Sequence, residues 1–460
     1  MIFIFSVAAL FKKFYCWFRA FYTHFIMNSV SRLFQPCHIV PKDSLFKTSD
    51  ILSKSVKLMQ NVGIISNSSN GMFTFLPLGL KVLAKLCNLV DEEMKVIGGQ
   101  KILLPSLTPS YLWHKTSRLK IAENGLFSLN DRQGKHYILS PTFEEAITNM
   151  VSQVGPLTRY QLPLKLYQIS SKWRDELKPR CGLLRSREFI MKDMYAFDVD
   201  SETSRLSYQI ISNAYENIFK RIGIPYRKFE AENGMMGGSM SHEFHYTSDI
   251  GENVIYLCEE CNYYTKFICG KNNICFKCKH TLCRQNTVEI AHTFLLGTKY
   301  SKPLKADFTD KTNSKKFLEM GCYGIGLTRL IAVAVEILST NEEIRWPRIL
   351  TPFDVCILPP KAGSHEDISS RLAYDLYDQL QNLNIDTIMD DRTQMTIGKR
   401  FVEARKTGYP VVIIVGKKSL EFKPLIEVHD VYHETSNNIG YESTVQFVKQ
   451  LIESHKPSLA

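Results

Sequence analysis

At 460 residues the chain can hold two or three domains, and 44% hydrophobic with 22% charged residues is the balance of a folded globular protein, which excludes a disordered or fibrous chain. Twelve cysteines in so large a chain, six of them within Cys258–Cys283, exclude a disulfide scaffold and point to a reducing compartment. A net charge of +11 suits contact with nucleic acid without requiring it.

The first 42 residues carry five Lys or Arg and no acid. Drawn as a helix, Phe11–Phe25 sets Lys12, Arg19 and Thr23 against Phe14, Phe18, Phe21, Tyr22 and Phe25. That pattern fits a mitochondrial presequence, starting at either Met1 or Met27. The apolar run Ile2–Phe11 could instead be a signal-peptide core, and it is too short to span a bilayer.

From Asp43 a folded body is expected. Gly71–Pro77 leads into a helix over Leu78–Val96, with Leu80, Leu83, Leu86, Leu89, Val90 and Met94 at helical spacing, ended by Gly98-Gly99. A strand over Lys101–Leu104 then runs into Pro105. In Leu139–Glu145 (LSPTFEE) a proline turn delivers Thr142, Glu144 and Glu145 to a helix start, where Thr142 is expected to cap and Glu145 to complete a capping box.

Leu166–Asp198 is the stretch richest in chemistry: two strands joined by a charged loop with Pro179 and Gly182. Period-two geometry puts Tyr167, Ile169, Ser171 and Trp173 on a packed face, and Gln168, Ser170, Lys172, Arg174 and Glu176 on a chemical one. With Arg187 and Phe189 on the return strand, this supplies a fork for phosphate, an acceptor and a stacking ring, the needs of a nucleotide site. A solvated hairpin with surface ion pairs would use the same residues.

A helix over Thr203–Ile222 follows, then a Gly-rich turn within Glu232–Phe244 that holds Ser241, His242 and Glu243. Three adjacent residues cannot point at one another as a hydrolase relay does. Cys258-x-x-Cys261 and Cys275-x-x-Cys278 are spaced to set four thiolates around Zn²⁺, with free structural cysteines as the alternative and Cys269 and Cys283 as competing ligands. Val288–Ser301 reads as a strand and turn bearing Glu289 and His292.

In Gly321–Glu336 the glycines at 321, 324 and 326 precede an apolar helix but match neither dinucleotide-binding nor phosphate-loop spacing. Arg329, a permanent charge among Leu327, Leu330, Ile331 and Val333, demands an anionic partner. Trp346-Pro347 and Thr351-Pro352 mark a domain boundary. Beyond it come strands at Asp354–Leu358, Asp386–Met389, Pro410–Gly416 and Leu425–Val428, and helices at Glu366–Leu383, Ile397–Thr407 and Glu442–Ser454, an α/β pattern.

Trp173–Glu176 followed by Arg187–Phe189 resembles motif 2 of class II aminoacyl-tRNA synthetases, and GLLRSREFIMKDMYAF (182–197) resembles prolyl-tRNA synthetases in particular. The helix, strand and proline of 78–105 have the order of motif 1, a dimer-interface element, and GCYGIGLTRLIAVAVE (321–336) resembles motif 3. LSPTFEE, GGSMSHEF and VEIAHTFLLGTKYS are similar to further prolyl-specific stretches. Asp390, Asp391, Arg392, Gly398, Lys399 and Arg400 match a recurring stretch of class IIa anticodon-binding domains.

The resemblance runs from Asp43 to the C-terminus. It implies an α+β class II catalytic domain over 43–349, an antiparallel sheet with helices and a small Cys-rich insertion at 258–283. A C-terminal α/β anticodon-binding domain over 350–460 follows, with residues 1–42 as the presequence. The implied activity is ATP- and Mg²⁺-dependent ligation of L-proline to tRNA(Pro) through prolyl-adenylate, for translation in the mitochondrial matrix, by a homodimer with no membrane role.

Carried over residue by residue, Arg174 holds the α-phosphate and the carboxylate of proline, Glu176 reads the adenine amino group and Phe189 stacks on the base. Arg329 grips the γ-phosphate, and Glu289 lies near ATP and its metal. Thr142 and Glu144 hold the secondary amine, and His292 lines the proline pocket. Arg392, Lys399 and Arg400 meet tRNA phosphates or guanine edges. Bacterial relatives commonly carry an editing domain between motifs 2 and 3; here Asp198–Gly234 has room for little beyond one helix, so alanine should be activated and not corrected. A non-catalytic, synthetase-like nucleic-acid-binding protein would lose the ATP arginines, which this chain keeps. A threonine, serine or glycine enzyme would lack the Thr142/Glu144 and SHEF stretches.

Overall fold

The structure, a computed structural model, describes residues 27–36, 53–155, 157–266 and 273–454; the presequence features ahead of Met27 and the stretch 37–52 lie outside the described residues. The described residues divide into two units, the larger spanning essentially 53–342 and the smaller formed by 351–454 together with 27–36.

In the larger unit, α1 (Pro77–Val96) starts with Pro at its first turn and buries Leu78, Val82, Leu83, Leu86, Leu89, Val90 and Met94, while Leu80 stays 56% exposed. Gly98 takes φ +74, a left-handed value that costs glycine little, and ends the helix. Of the strand expected over Lys101–Leu104 only Lys101 is in strand conformation, in the two-residue strand Gln100–Lys101. Beyond it the chain is pinned by Ile102 N–H donating to the Tyr167 carbonyl (2.8 Å) and Leu104 N–H to Gln168 Oε1 (3.0 Å).

Next come α2 (Glu144–Gln153), β1 (Leu164–Trp173), β2 (Glu188–Asp198), α3 (Ser201–Ile222), β3 (Tyr226–Glu230), β4 (Met240–Thr247), β5 (Cys283–Gly297), β6 (Glu319–Gly326) and α4 (Leu327–Leu338). The strands line up as β3-β4-β5-β6-β2-β1, each antiparallel to its neighbour, with Gln100–Lys101 parallel on the far edge. α3 is fixed at both ends, by Asp200 accepting from Thr203 N–H (2.8 Å) and by Gly223 at φ +80. The glycines at 321, 324 and 326 lie on β6, which runs at Gly326 directly into α4, the apolar helix they were expected to precede.

The two faces of β1 differ from the sequence reading. Gln168 and Lys172, on the polar face, are fully buried, whereas Ile169, Ser171 and Trp173 are half-buried. The polar side chains are buried because they satisfy one another. Asp193 accepts from Gln168 Nε2 (3.0 Å) and Tyr195 OH (2.9 Å) and pairs with Lys172 Nζ (2.7 Å).

The smaller unit comprises β7 (Val355–Leu358), α5 (Ser370–Asn382), β8 (Thr387–Met389), α6 (Ile397–Thr407), β9 (Val411–Ile414), β10 (Leu425–Asp430), β11 (Thr435–Gly440) and α7 (Tyr441–Ser454). The sheet order is β8-β7-β9-β10-β11, parallel for the first three strands and antiparallel for the last two. Residues 27–36, expected as the end of a presequence, pack on this unit. Met27 and Val30 are buried, Ser29 bridges in parallel to Met389, and Ser31 N–H donates to Asp391 (2.9 Å).

Candidate active site

One cavity of about 560 Å³ opens on the polar face of the large sheet and gathers Thr142, Glu144, Arg174, Glu176, Phe189, Glu289, His292 and Arg329. Gly324 and Gly326 also border it, leaving room where side chains would stand.

At one end, α2 starts on Glu144, with Phe143 as its N-cap and no side-chain cap. The expected capping box does not form, because both glutamates are recruited by a buried cation. Arg118 Nη1 donates to Glu144 Oε2 (3.2 Å) and to Glu145 Oε1 (3.1 Å). Thr142 turns its hydroxyl onto Glu144 Oε1 (2.7 Å), which also receives the Cys322 thiol (2.9 Å). Arg118 is sandwiched against Trp113 and Tyr300, its centre 4.6 and 5.5 Å from the ring centroids. Burial opposes its charge, but Glu145 and Glu144 outweigh that and push its pKa up. Burial pushes Glu145 up as well, against the pull of Arg118. One guanidinium thus serves two buried carboxylates, and the one at the cavity wall is short of a cation.

The other end is positive. Arg174 follows β1 directly, its N–H bonded to the Arg187 carbonyl (2.9 Å), and its guanidinium lies 5.0 Å from the centroid of Phe189. Burial and then the charge of Arg329 hold Arg174 below its ordinary value. Arg329, on the first turn of α4, is fixed by the carbonyls of Leu184 (3.0 Å) and Glu289 (2.9 Å). Among the described residues neither guanidinium forms an ion pair with a carboxylate, although the charges of Glu289 and Glu176 act on Arg174. Glu176 sits beside them, one oxygen accepting from Arg185 Nε (2.8 Å).

Glu289 and His292 are three apart on one strand, which should put them on opposite faces. A register shift in the β4–β5 pairing opposite Ile290 resets the alternation. Both then face the cavity, with Nδ1 of His292 3.3 Å from Glu289 Oε1 and its ring stacked 3.9 Å from Phe294. Burial raises the Glu289 pKa, but the hydrogen bond and charge of His292, with Arg329, hold it down to about 2. Glu243 joins them, so that Glu243, Glu289 and His292 hold ligand atoms within 4.8 Å of one another. The adjacent Ser241, His242 and Glu243 go to different partners: the Ala231 carbonyl, Tyr208 and His245.

Away from the cavity, the Sγ atoms of Cys258, Cys261, Cys275 and Cys278 all lie within 4.8 Å of one another. Tetrahedral zinc with bonds of about 2.3 Å needs thiolate pairs about 3.8 Å apart. The two closest pairs here are 3.2 and 3.5 Å. Both turns are built alike: Cys258 N–H donates to the Tyr263 carbonyl and Cys275 N–H to the His280 carbonyl, each 2.7 Å. Asn262 and Lys279, just after the second cysteine of each pair, are both left-handed at φ 51 and 66. The residues fit the metal.

Residues 127–338 match the family described as tRNA synthetase class II core domain (G, H, P, S and T), and 354–451 match the anticodon binding domain. The chain is 44% identical over 408 residues to a protein of Mus musculus named "Probable proline--tRNA ligase, mitochondrial", covering 87% of this chain and 86% of that one. It belongs to the proline–tRNA ligase family. A "Proline--tRNA ligase" of Ehrlichia canis is 36% identical, covering 88% of this chain and 96% of that one. In fold it is similar to a Giardia lamblia prolyl-tRNA synthetase solved in complex with prolyl-adenylate (TM-score 0.75, 19% identity, covering 88% of this chain and 79% of that one).

The eight cavity residues expected from the sequence do line one cavity. Two others were missed. Arg118 sits on a short segment with no motif around it, and Asp193 lies inside the MKDMYAF run but was read as strand rather than as the acid that organises it. A Lys192-Asp193 pair set between apolar and aromatic residues of a central strand is the available signal.

The anticodon-binding unit corrects one expectation. Arg400 is fully buried, and its Nη1 and Nη2 are spent on the carbonyls of Asp390 (2.9 Å) and Pro359 (2.6 Å), so it cannot reach RNA. Arg392 is held by Asp390 and Glu403, each at 2.7 Å. Lys399 is the exposed one of the three. No helix among the described residues is long and apolar enough to cross a membrane.

Proposed function

We propose that the chain ligates L-proline to tRNA(Pro) in two steps at the described cavity, as a mitochondrial enzyme working in the matrix. The observation that carries this reading is the polarity of the cavity. A carboxylate short of a cation stands at one end and two guanidinium groups held in no ion pair at the other, complementary to an ammonium at one end of the ligand and phosphates at the other.

Glu144, with Thr142, would take the secondary ammonium of proline, and His292 would line the ring pocket. Arg174 would hold the substrate carboxylate against the α-phosphate, Arg329 the γ-phosphate, and Phe189 the adenine. The second oxygen of Glu176 is the acceptor offered to the adenine amino group. Mg²⁺, which Glu289 is suited to hold because it stays ionised, would neutralise phosphate charge. The substrate carboxylate is already a nucleophile, so positioning and charge stabilisation supply most of the rate.

The four cysteines would hold one structural zinc. Exposed Val96 (81%) and Leu103 (76%), at and after the end of α1, support a homodimer through this segment. An import segment would end ahead of Met27, because residues from Met27 on pack in the smaller unit. The test is proline-dependent ATP–pyrophosphate exchange, expected with proline and lost without it. Exchange that follows threonine, serine or glycine instead, or none at all, would overturn the reading.

A further inference from the structure

We propose that the exposed face of the cysteine knuckle is the docking surface for the unpaired 3′ end of the tRNA, guiding its terminal adenosine to the cavity. This deepens the ligase reading and rests on it. Phe276, inside the second cysteine pair, is 73% exposed. Lys277 and Lys279, next to it in the same turn, are exposed, and among the described residues neither pairs with an acid. Lys279 Nζ lies 5.5 Å from the centroid of Phe276, and Lys277 Nζ 5.3 Å from that of Tyr263.

A lone exposed phenylalanine would need no explanation. An exposed ring flanked by free cations, carried on two turns that hold their own hydrogen bonds, is the chemistry that stacks a base and meets the phosphates beside it.

Position selects the 3′ end over other parts of the RNA. β5 starts at Cys283 in the knuckle and reaches Glu289 at the cavity six residues later, about 20 Å at 3.3 Å per residue. A few unpaired nucleotides cover that distance, whereas a duplex is too wide to enter. Next to the first cysteine turn a second cavity of about 620 Å³ is bordered by Tyr263, Tyr264 and Lys277, with Lys228 and Lys266 facing Glu230 and Glu232 across it. Lys266 pairs with Glu243, which stands 3.9 Å from His292.

The test uses Phe276→Ala and the double variant Lys277→Ala/Lys279→Ala in the full chain. Pyrophosphate exchange, which uses no tRNA, should stay within about twofold, reporting an intact fold and cavity. Affinity for full-length tRNA(Pro) and kcat/KM for charging should fall on the order of 10-fold for loss of one stacked base. The lysine variant should also show a shallower dependence of binding on salt. Binding of tRNA lacking its last four nucleotides should be the same for parent and variants. Unchanged charging, or a binding deficit that persists with the shortened tRNA, would overturn the proposal. Exchange that is absent in the parent would instead refute the ligase reading.

Discussion

Replacing Arg118 with Met tests whether the amine end of the cavity is organised by one buried cation. The substitution keeps most of the volume against Trp113 and Tyr300 but strands Glu144 and Glu145, both fully buried. Glu145 would keep Thr116 (2.8 Å) and its own backbone N–H, and Glu144 the Thr142 hydroxyl and the Cys322 thiol. Removing one partner of a buried ion pair costs about 3–5 kcal/mol. In a unit of this size that corresponds to roughly 5–15 °C in melting temperature.

The loss should depend on pH. Without Arg118, burial and the charge of Glu144 push the folded pKa of Glu145 further above the ordinary value of 4.5. A raised carboxyl pKa means the folded state binds the extra proton, so the penalty is full above the folded pKa and shrinks as pH falls toward 4.5. Melting by calorimetry at several pH values reads this directly. Arg118→Met/Glu145→Gln should recover much of the loss, since it removes the stranded charge as well. A single variant that melts within about 2 °C of the parent, or a double variant no better than the single, would refute the reasoning.

Arg174→Ala should lower proline-dependent exchange by about 10²-fold or more with an unchanged melting temperature, because the side chain faces the cavity and supports no buried acid. Metal analysis of chelator-rinsed protein should find about one zinc per chain, falling to none in Cys258→Ser with loss of stability; metal-free, stable, active protein would contradict the site. Arg400→Ala should destabilise the smaller unit, while Lys399→Ala should leave melting alone and weaken tRNA binding in a salt-dependent way, as binding and calorimetry would separate. Alanine should be activated measurably, since each missing methylene forgoes only about 1–3 kcal/mol. Preformed alanyl-tRNA(Pro) incubated with the enzyme should then survive no worse than in buffer.

Much of the catalytic half could be read from the chain because its chemistry is written in contiguous runs. The helix over 77–96 and the Arg174–Phe189 hairpin come from periodicity and charge that neighbours in space scarcely alter. What escaped was set by contacts distant in sequence. The face of β1 was misjudged because Lys172 and Gln168 are buried only by virtue of Asp193, on the next strand. The shift opposite Ile290 that brings Glu289 beside His292 leaves no local mark. β11, reading Thr-Ser-Asn-Asn-Ile-Gly, looks like a turn and is a strand only because it completes an edge beside β10. Arg400 looked like an RNA contact because a basic residue early in a helix is usually solvated, and nothing in sequence shows the carbonyls that bury it.

The segment 27–36 gives the smaller unit an unusual assembly schedule. Asn28 binds the Thr387 carbonyl across 359 residues of sequence. At about 5–20 residues per second of synthesis, one side of this contact waits roughly 20–70 s for the other to exist. Until then Met27 and Val30 have no core to enter, and the edge of β8 is unsealed. The unit therefore reaches its final state last, after the whole catalytic half has had time to fold. A chain shortened at its front would be expected to complete synthesis on the same schedule yet leave that edge open to pairing with other chains.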